Sequence, residues 1–516
     1  MLFNSLAFVF GLLPLALIVF YVAGRRSQLL AKLALIAASL IFYAVGARRD
    51  LPLLVGSIAV NYVLGELIRR ARARGRDRTA GAWTTAGVLA NLAVLGWFKY
   101  AGFVAGNLSV LVGPIGLPPI ELPLGISFYT FVNIAYLIDQ SRGRAGPIGA
   151  ADFALLTGFF PKLISGPLVH FGEFVPQLRK RLFTALIWRN ILVGLTIFAI
   201  GLFKKTVIAD SLATWVNPLF AAGAKGAGFS LESGWLAAFG YTFQLYFDFS
   251  GYSDMAIGVA RMFGLKLPLN FHSPLRSQSI IEYWRRWHMT IQRMIVSYVF
   301  DPLSLPLNRY AAQIGLIGWG YFLVTFAAPI FLTFIAVGVW HGAGWTYVVF
   351  GAMHGVYVCA NEAWRERDRR RRRRLRRQGK PAPAVAWPAV ATYHLLTIAA
   401  VAYANVMFRS PNVAAALPLW AGMSGLTGVG AFAPTVATIL TLTAAAGLVF
   451  LAPNTQQIMG RFDPAWNWTE WRGVAPAPLT WRWKPTWKGL GFVGAALFLG
   501  IMFIQRGPAV FIYFQF

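Results

Sequence analysis

His341 stands in GVWHGAGWTYVVFGAMHG, Gly338 to Gly355, directly behind the apolar run AAPIFLTFIAVG. Imidazole is the side chain best able to give and take protons near neutral pH. Inside an apolar segment such a group marks a functional site, unless it is a core histidine bonded to a carbonyl. The glycines and tryptophans around it favour the first reading, because small residues let backbone and substrate approach closely. The other histidines are His170, His272, His288, His354 and His394. His354 follows His341 by thirteen residues, which on one continuous helix is about 220° of rotation and about 20 Å of rise. That separation keeps the two from sharing a metal or a proton, and only a break at Gly342 or Gly344 lifts it. No two histidines have the i, i+4 spacing of a metal motif, so no metal site is expected.

His288 ends the run EYWRRWH. Within it, Glu282 and Arg286 are spaced i, i+4 for an ion pair on a helix surface, and Trp284 and Trp287 suit a membrane interface. Arg285 and His288 are one helical turn apart. Together they read either as a cationic face toward an anionic headgroup or phosphate, or as a snorkelling cluster facing lipid. A second polar group lies in FQLYFDFSGYSDMAIG, where Asp248, Ser250, Tyr252 and Asp254 interrupt an aromatic segment. Carboxylates there must be hydrogen-bonded, paired with a cation, or protonated. A structural network is the preferred reading, and use as an acid–base pair would need opposed environments. With Trp340 and Arg285, these four are the candidates to line a substrate tunnel. No GxSxG, P-loop or HExxH occurs, so conventional hydrolase and ATPase chemistry lacks support. Transfer of an acyl group from a thioester to a hydroxyl fits what remains. The thioester is already electrophilic, and the enzyme then needs mainly a base and a geometry that holds both substrates.

The elements that must position these residues are membrane spans. The 516 residues are 57% hydrophobic and 13% charged, with mean hydropathy +0.58, whereas soluble domains carry about 25% charged residues. Apolar runs of about 20 residues recur throughout, the length needed to cross hydrocarbon. The net charge of +29 sits mainly in short loops between these runs. There it sets topology and meets anionic headgroups rather than nucleic acid. The single cysteine, Cys359, excludes an internal disulfide and a cysteine-based cluster. The first run, from Phe3 to Ala23, lacks a basic leader and a cleavage site and reads as a retained span. The dense basic loops at about 69–78 and 365–380 are cytoplasmic by the positive-inside rule, which puts both termini outside.

Two segments break the pattern. PLGISFYTFVNIAYLID (123–139) is laced with polar residues, and GFFPKLISGPLVHFGEFVPQL (158–178) carries three prolines and Lys162. Broken, polar segments at membrane depth require burial in protein or a wet cavity, so both are expected to be re-entrant or half-spanning helices. Trp188 to Leu202 is a plain run closed by Lys204 and Lys205. LPLNFHSPLRSQSIIEYWRRWHMTIQRM (267–294) reads as an interfacial helix. No internal repeat or linker divides the chain, and 1–516 forms one all-α membrane domain of about 11 spans plus re-entrant pieces.

WHGAGWTYVVFGAMHG, YFDFSGYSDMAIG, SIIEYWRRWH, PLGISFYTF, FFPKLISGPLVHF and the terminal FIYFQF together resemble the membrane-bound O-acyltransferase (MBOAT) superfamily. Within it, the bacterial alginate O-acetyltransferase-like branch is similar, with relatives that D-alanylate teichoic acid or acetylate cellulose and peptidoglycan. The resemblance spans essentially the whole chain. It implies a ring of tilted helices around a funnel-shaped centre, with His341 as the catalytic residue of a WHG motif and His288 as the second histidine. It implies a cytosolic acyl-CoA donor, acetyl-CoA in the acetylating branch, and no tightly bound cofactor. It also implies a periplasmic SGNH-type partner that passes the acyl group to a cell-surface glycan, and a place in the bacterial inner membrane. One segment departs. The family commonly continues after WRRWH with a stretch like SLSTWLRDYLYIPLGG, whereas this chain has MTIQRMIVSYVFDPLSLPLNRY, retaining only Asp301, Pro302 and Leu303 of that frame. The residues alone leave two competitors: a transporter or flippase, for which broken helices and buried carboxylates are equally natural, and a non-catalytic scaffold subunit of a polysaccharide-secretion complex.

Overall fold

The computed structural model describes residues 1–516 except 181–182, 382–384, 431–432, 505–510 and 513–516. Among the described residues all regular structure is helical and no strand occurs. Six stretches are long and apolar enough to cross a membrane: Ala7–Arg26, Gln28–Ala73, Asp77–Val112, Trp188–Ala224, Gly318–His341 and Trp387–Arg409. Gln28–Ala73 holds two helices joined by a 3-10 turn at Arg48–Asp50, so it covers two of the apolar runs. The late runs form the shorter apolar helices Val436–Phe450 and Trp487–Phe503. Leu15, Ile18, Val22, Leu33 and Ile41 are exposed on the outside of the first helices, as side chains facing lipid must be. The architecture is that of an all-α polytopic membrane protein.

The centre is the Leu231–Met262 helix, in which every residue from Gly240 to Met262 is buried. A helix buried on every side forms the core of a bundle. Its most extensive partner is the Trp188–Phe203 helix, met through two reciprocal glycine pairs. A Cβ on Gly194 would lie 2.5 Å from the Gly258 carbonyl oxygen, and one on Gly258 would lie 2.5 Å from that of Gly194. For Gly201 and Gly251 the corresponding distances are 2.7 and 2.8 Å. On each helix the two glycines are seven residues, or two turns, apart, so both pairs lie on one stripe where the backbones touch. Small residues allow this approach in membrane bundles, where no hydrophobic effect drives helices together.

The polar segments are buried as the sequence requires. Ile126–Ser141 runs inside the protein, and its Asn133 accepts from Thr157 (3.0 Å) and donates to Ser57 (3.0 Å). The 158–178 stretch breaks into Phe160–Leu163, an extended piece and Phe171–Leu178. Lys162 donates to the carbonyls of Leu156 and Thr157 at the end of the preceding helix.

Four expectations are corrected. The 267–294 segment is not an interfacial helix: Pro274–Arg276, Ile280–Arg286 and Met289–Ile295 are short helices, and Trp284, Trp287, His288 and Met294 are buried among them. The two tryptophans face protein rings rather than headgroups, Trp284 against Phe334 and Trp287 against Phe271. The 365–380 region is helical to Arg377 rather than a loop, because Arg369–Glu362 (2.6 Å), Arg370–Glu366 (2.8 Å) and Arg372–Asp368 (2.6 Å) pair along it. The 69–78 region is likewise mostly helix ends, with Arg69 and Arg70 on Glu66 and the next helix beginning at Asp77. Lys204 and Lys205 do not close their run either. The chain continues through a π-helical segment, Lys204–Ala209, into Asp210–Ala224, with both ammonium groups turned inward.

Replacing Gly258 by Leu should force the two central helices apart and cost about 1–3 kcal/mol, read as a lower melting temperature in detergent. Gly447→Ala, on a helix surface with open space around the new methyl, should leave it unchanged or slightly raised.

Candidate active site

His341 is the last residue of the Ala328–His341 helix, and the chain reverses at Gly342–Gly344 into the Trp345–Arg377 helix. The hairpin is close enough that a Cβ on Gly338 would lie 2.1 Å from the Tyr347 carbonyl oxygen. This break removes the separation that a continuous helix would have imposed on His341 and His354. Both imidazoles now lie against Phe350, at ring-centroid distances of 6.4 and 4.6 Å. His354 is buried, and its Nδ1 accepts from Trp284 Nε1–H at 3.1 Å, which ties the Ile280–Arg286 helix to the hairpin. His341 itself is buried against Phe408 (5.1 Å) and opens on a small cavity lined by Tyr283, Trp284, Trp287, Asn405 and Phe408.

His288 lies between two short helices, after extended Trp287, with its own backbone left-handed at φ 45°. It is completely buried, with Phe249 edge-on at 4.7 Å. Its Nδ1 lies 3.0 Å from the Asn270 Oδ1, which also accepts from the Thr290 hydroxyl (2.9 Å) and backbone N–H (3.4 Å). Because a backbone N–H can only donate, that Asn270 atom is the oxygen, and the neutral His288 ring carries its proton on Nδ1 and its lone pair on Nε2. Asn270 is anchored in turn on the Ser253 hydroxyl (3.0 Å) of the central helix. The Trp340 indole touches both histidines, at 4.9 Å from His341 and 6.0 Å from His288. One aromatic wall therefore carries the two imidazoles.

Arg285 does not share a face with His288. The helix ends at Arg286, so the one-turn relation fails, leaving Arg285 exposed and His288 buried. Glu282 and Arg286 form the ion pair that their spacing predicts. On the central helix Asp248 meets Lys205 at 2.8 Å, and Lys205 also meets Asp210 at 2.6 Å. Asp254 accepts from Lys204 (2.8 Å), Thr455 (2.6 Å) and Gln456 (3.0 Å). Both carboxylates thus have cations. Tyr252 stacks between Phe3 (4.9 Å) and Phe511 (4.5 Å), and Ser250 is buried on the same helix. Of the terminal FIYFQF, Phe511 and Ile512 are in place, the latter donating its N–H to Asp248 at 3.2 Å, and the last four residues lie outside the described residues.

Sequence reasoning missed Asn270, Ser253, Lys99 and Tyr100. Nothing in GWFKY marks Lys99 and Tyr100 as neighbours of residues 339–341, some 240 positions later. Lys205→Met would leave Asp210 and Asp248 buried without their cation, and should cost about 3–5 kcal/mol. The expected readout is loss of folded, monodisperse protein in detergent extracts.

Residues 16–317 match the family described as MBOAT, membrane-bound O-acyltransferase family. That stretch contains His288, Asp248 and Asp254, and stops short of His341. The chain is similar to peptidoglycan O-acetyltransferase of Helicobacter pylori, 36% identical over 457 residues that make up 83% of this chain and 81% of the relative. It is 39% identical over 369 residues to the probable alginate O-acetylase AlgI of Pseudomonas aeruginosa, covering 70% of this chain and 66% of that one. A teichoic acid D-alanyltransferase of Streptococcus thermophilus matches at 27% over 266 residues, 51% of this chain and 63% of the relative. The helical architecture and these similarities agree: the chain is an acyltransferase of the membrane-bound O-acyltransferase family.

Proposed function

We propose that this enzyme moves an acyl group, acetyl in the first instance, from a cytosolic acyl-CoA to a hydroxyl of an extracytoplasmic polysaccharide, by way of a periplasmic SGNH-type partner. The relatives named for peptidoglycan and alginate acetylation support a glycan acceptor. The protein would lie in a bacterial inner membrane with both termini outside and its arginine-rich helix end in the cytoplasm, among anionic lipids.

The observation that carries the mechanism is the pair of buried imidazoles that both lie against Trp340. His341 acts as general base. It takes the proton of the acceptor hydroxyl as that oxygen attacks the thioester carbonyl carbon. The C–O bond forms, the C–S bond breaks, and the proton passes from the imidazolium to the departing thiolate, so the histidine returns neutral. His288, fixed in one tautomer by Asn270, orients the acceptor through Nε2. Packing by Phe249, Trp340 and Phe408 keeps water out, so that the acyl group reaches the acceptor instead of being hydrolysed.

Radiolabelled acetyl transfer from acetyl-CoA into membrane glycan or a co-expressed SGNH-type partner tests the reading. At equal membrane abundance His341→Ala should lower transfer roughly 10²–10⁴-fold, whereas His354→Gln should keep most of it. Transfer undiminished by His341→Ala would remove that residue from the mechanism. A purified wild-type protein that consumes no acetyl-CoA would return the choice to another donor or to transport.

A further inference from the structure

The Ala328–His341 helix ends inside the protein, and a helix end leaves its last carbonyls without intrahelical partners. Gly342 N–H pairs with the Gly338 carbonyl, and three carbonyls remain, those of Val339, Trp340 and His341. All three are met by adjacent residues of a distant segment. Tyr100 donates its hydroxyl to Val339 (2.9 Å), while the Lys99 ammonium donates to Trp340 and to His341 (3.3 Å). The third ammonium proton goes to the Ser127 hydroxyl (3.3 Å) at the start of the Ile126–Ser141 helix. An ammonium has three donors and no acceptor, so the capacity of Lys99 is filled by the protein and none is left for substrate. A positive charge at a helix C-terminus is also favoured by the helix dipole.

The local backbone makes this possible. Lys99 and Tyr100 belong to a π-helical segment, Gly96–Tyr100, set between the Asp77–Leu95 and Ala101–Val112 helices. Adjacent residues of a regular α-helix point about 100° apart. Here the wider turn accompanies two neighbouring side chains that reach consecutive carbonyls of one partner helix. Lys99 also lies over the Trp340 ring at 6.0 Å, so the same group holds the residue that touches both histidines.

Resting on the proposed role of His341 as base, we infer that Lys99 is a positioning residue for the reaction. Its ammonium, with the Tyr100 hydroxyl, clamps the end of the Ala328–His341 helix and thereby sets where the His341 imidazole and the Trp340 indole stand. It does not touch the acyl group.

The test compares Lys99→Met, Lys99→Arg and Tyr100→Phe in the full-length protein, with His341→Ala as the inactive reference. Per folded molecule, Lys99→Met should lower kcat about 10²-fold, since a displacement of about 1 Å costs that much, with KM for acetyl-CoA within about twofold. Lys99→Arg should recover most of the loss, and Tyr100→Phe should lower kcat about fivefold. The pH–rate limb that reports the base should move in Lys99→Met and return in Lys99→Arg. A readout independent of any donor is the rate at which diethyl pyrocarbonate modifies His341, followed by mass spectrometry. It should change more than about threefold in Lys99→Met and return toward wild type in Lys99→Arg. Should Lys99→Met fail to accumulate, Tyr100→Phe carries both readouts. Unchanged kcat, pH profile and His341 reactivity, with only a lower melting temperature, would overturn the inference. Altered His341 reactivity in Lys99→Met, alongside a wild-type protein that uses no acetyl-CoA, would uphold the clamp and reject the donor instead.

Discussion

A helix that ends inside a membrane protein must pair its last carbonyls there, because neither lipid nor bulk water can do so. In this protein that requirement falls at His341, and Lys99 and Tyr100 meet it, with Ser127 accepting the remaining ammonium proton of Lys99. The reversal at Gly342–Gly344, the fit of Gly338 against the Tyr347 carbonyl, and the placing of Trp340 against two imidazoles all depend on that helix stopping where it does.

The same constraint recurs wherever charge enters the interior. Lys205 sits between Asp210 and Asp248, Lys204 holds Asp254, and Lys162 donates to two helix-end carbonyls. The Lys204–Asp254 and Lys205–Asp248 pairs join separate helices, so a buried charge there also fixes where one helix lies against another. Several of the groups belong to π-helical segments: Lys99 in Gly96–Tyr100, Lys205 in Lys204–Ala209, and Tyr298, which donates to Asp139 at 2.9 Å, in Val296–Phe300. A π turn re-aims side chains within an otherwise continuous helix and is often found at functional sites.

The segment that departs from the family pattern begins within this frame and then leaves it. Past His288, the Met289–Ile295 helix stays buried at Met289, Thr290, Ile291 and Met294, whereas Asp301, Pro302 and Leu303 open an exposed helix, Asp301–Gln313. The buried ring of residues that positions His288, running from Ser253 through Asn270 to Thr290, includes the second residue of the divergent segment.

Composition and spacing alone determined much of this protein. Long apolar runs set the all-helical membrane class, and Asn133, Lys162 and the prolines of 158–178 marked segments that had to be buried within protein. His341 stood out because an imidazole in an apolar run has few reasons to be there, and His288 because WRRWH resembles the family segment that ends in its second histidine. Local periodicity also predicted the Glu282–Arg286 pair, since both partners lie within one turn. It misled at 267–294, where the alternation of tryptophan and arginine resembles an interfacial helix but the chain breaks at Trp287–His288 and buries its rings. It misled again at 365–377, where side-chain pairs keep an arginine run helical. Only the tertiary structure decided that Lys99 and Tyr100 cap the His341 helix, that Asn270 sets the tautomer of His288, and that Lys205 neutralises Asp248. These pairings join residues between 18 and more than 200 positions apart. The reason is physical. A carbonyl, carboxylate or imidazole in the interior demands a partner, and sequence shows that demand, but which residue supplies the partner depends on how the helices pack.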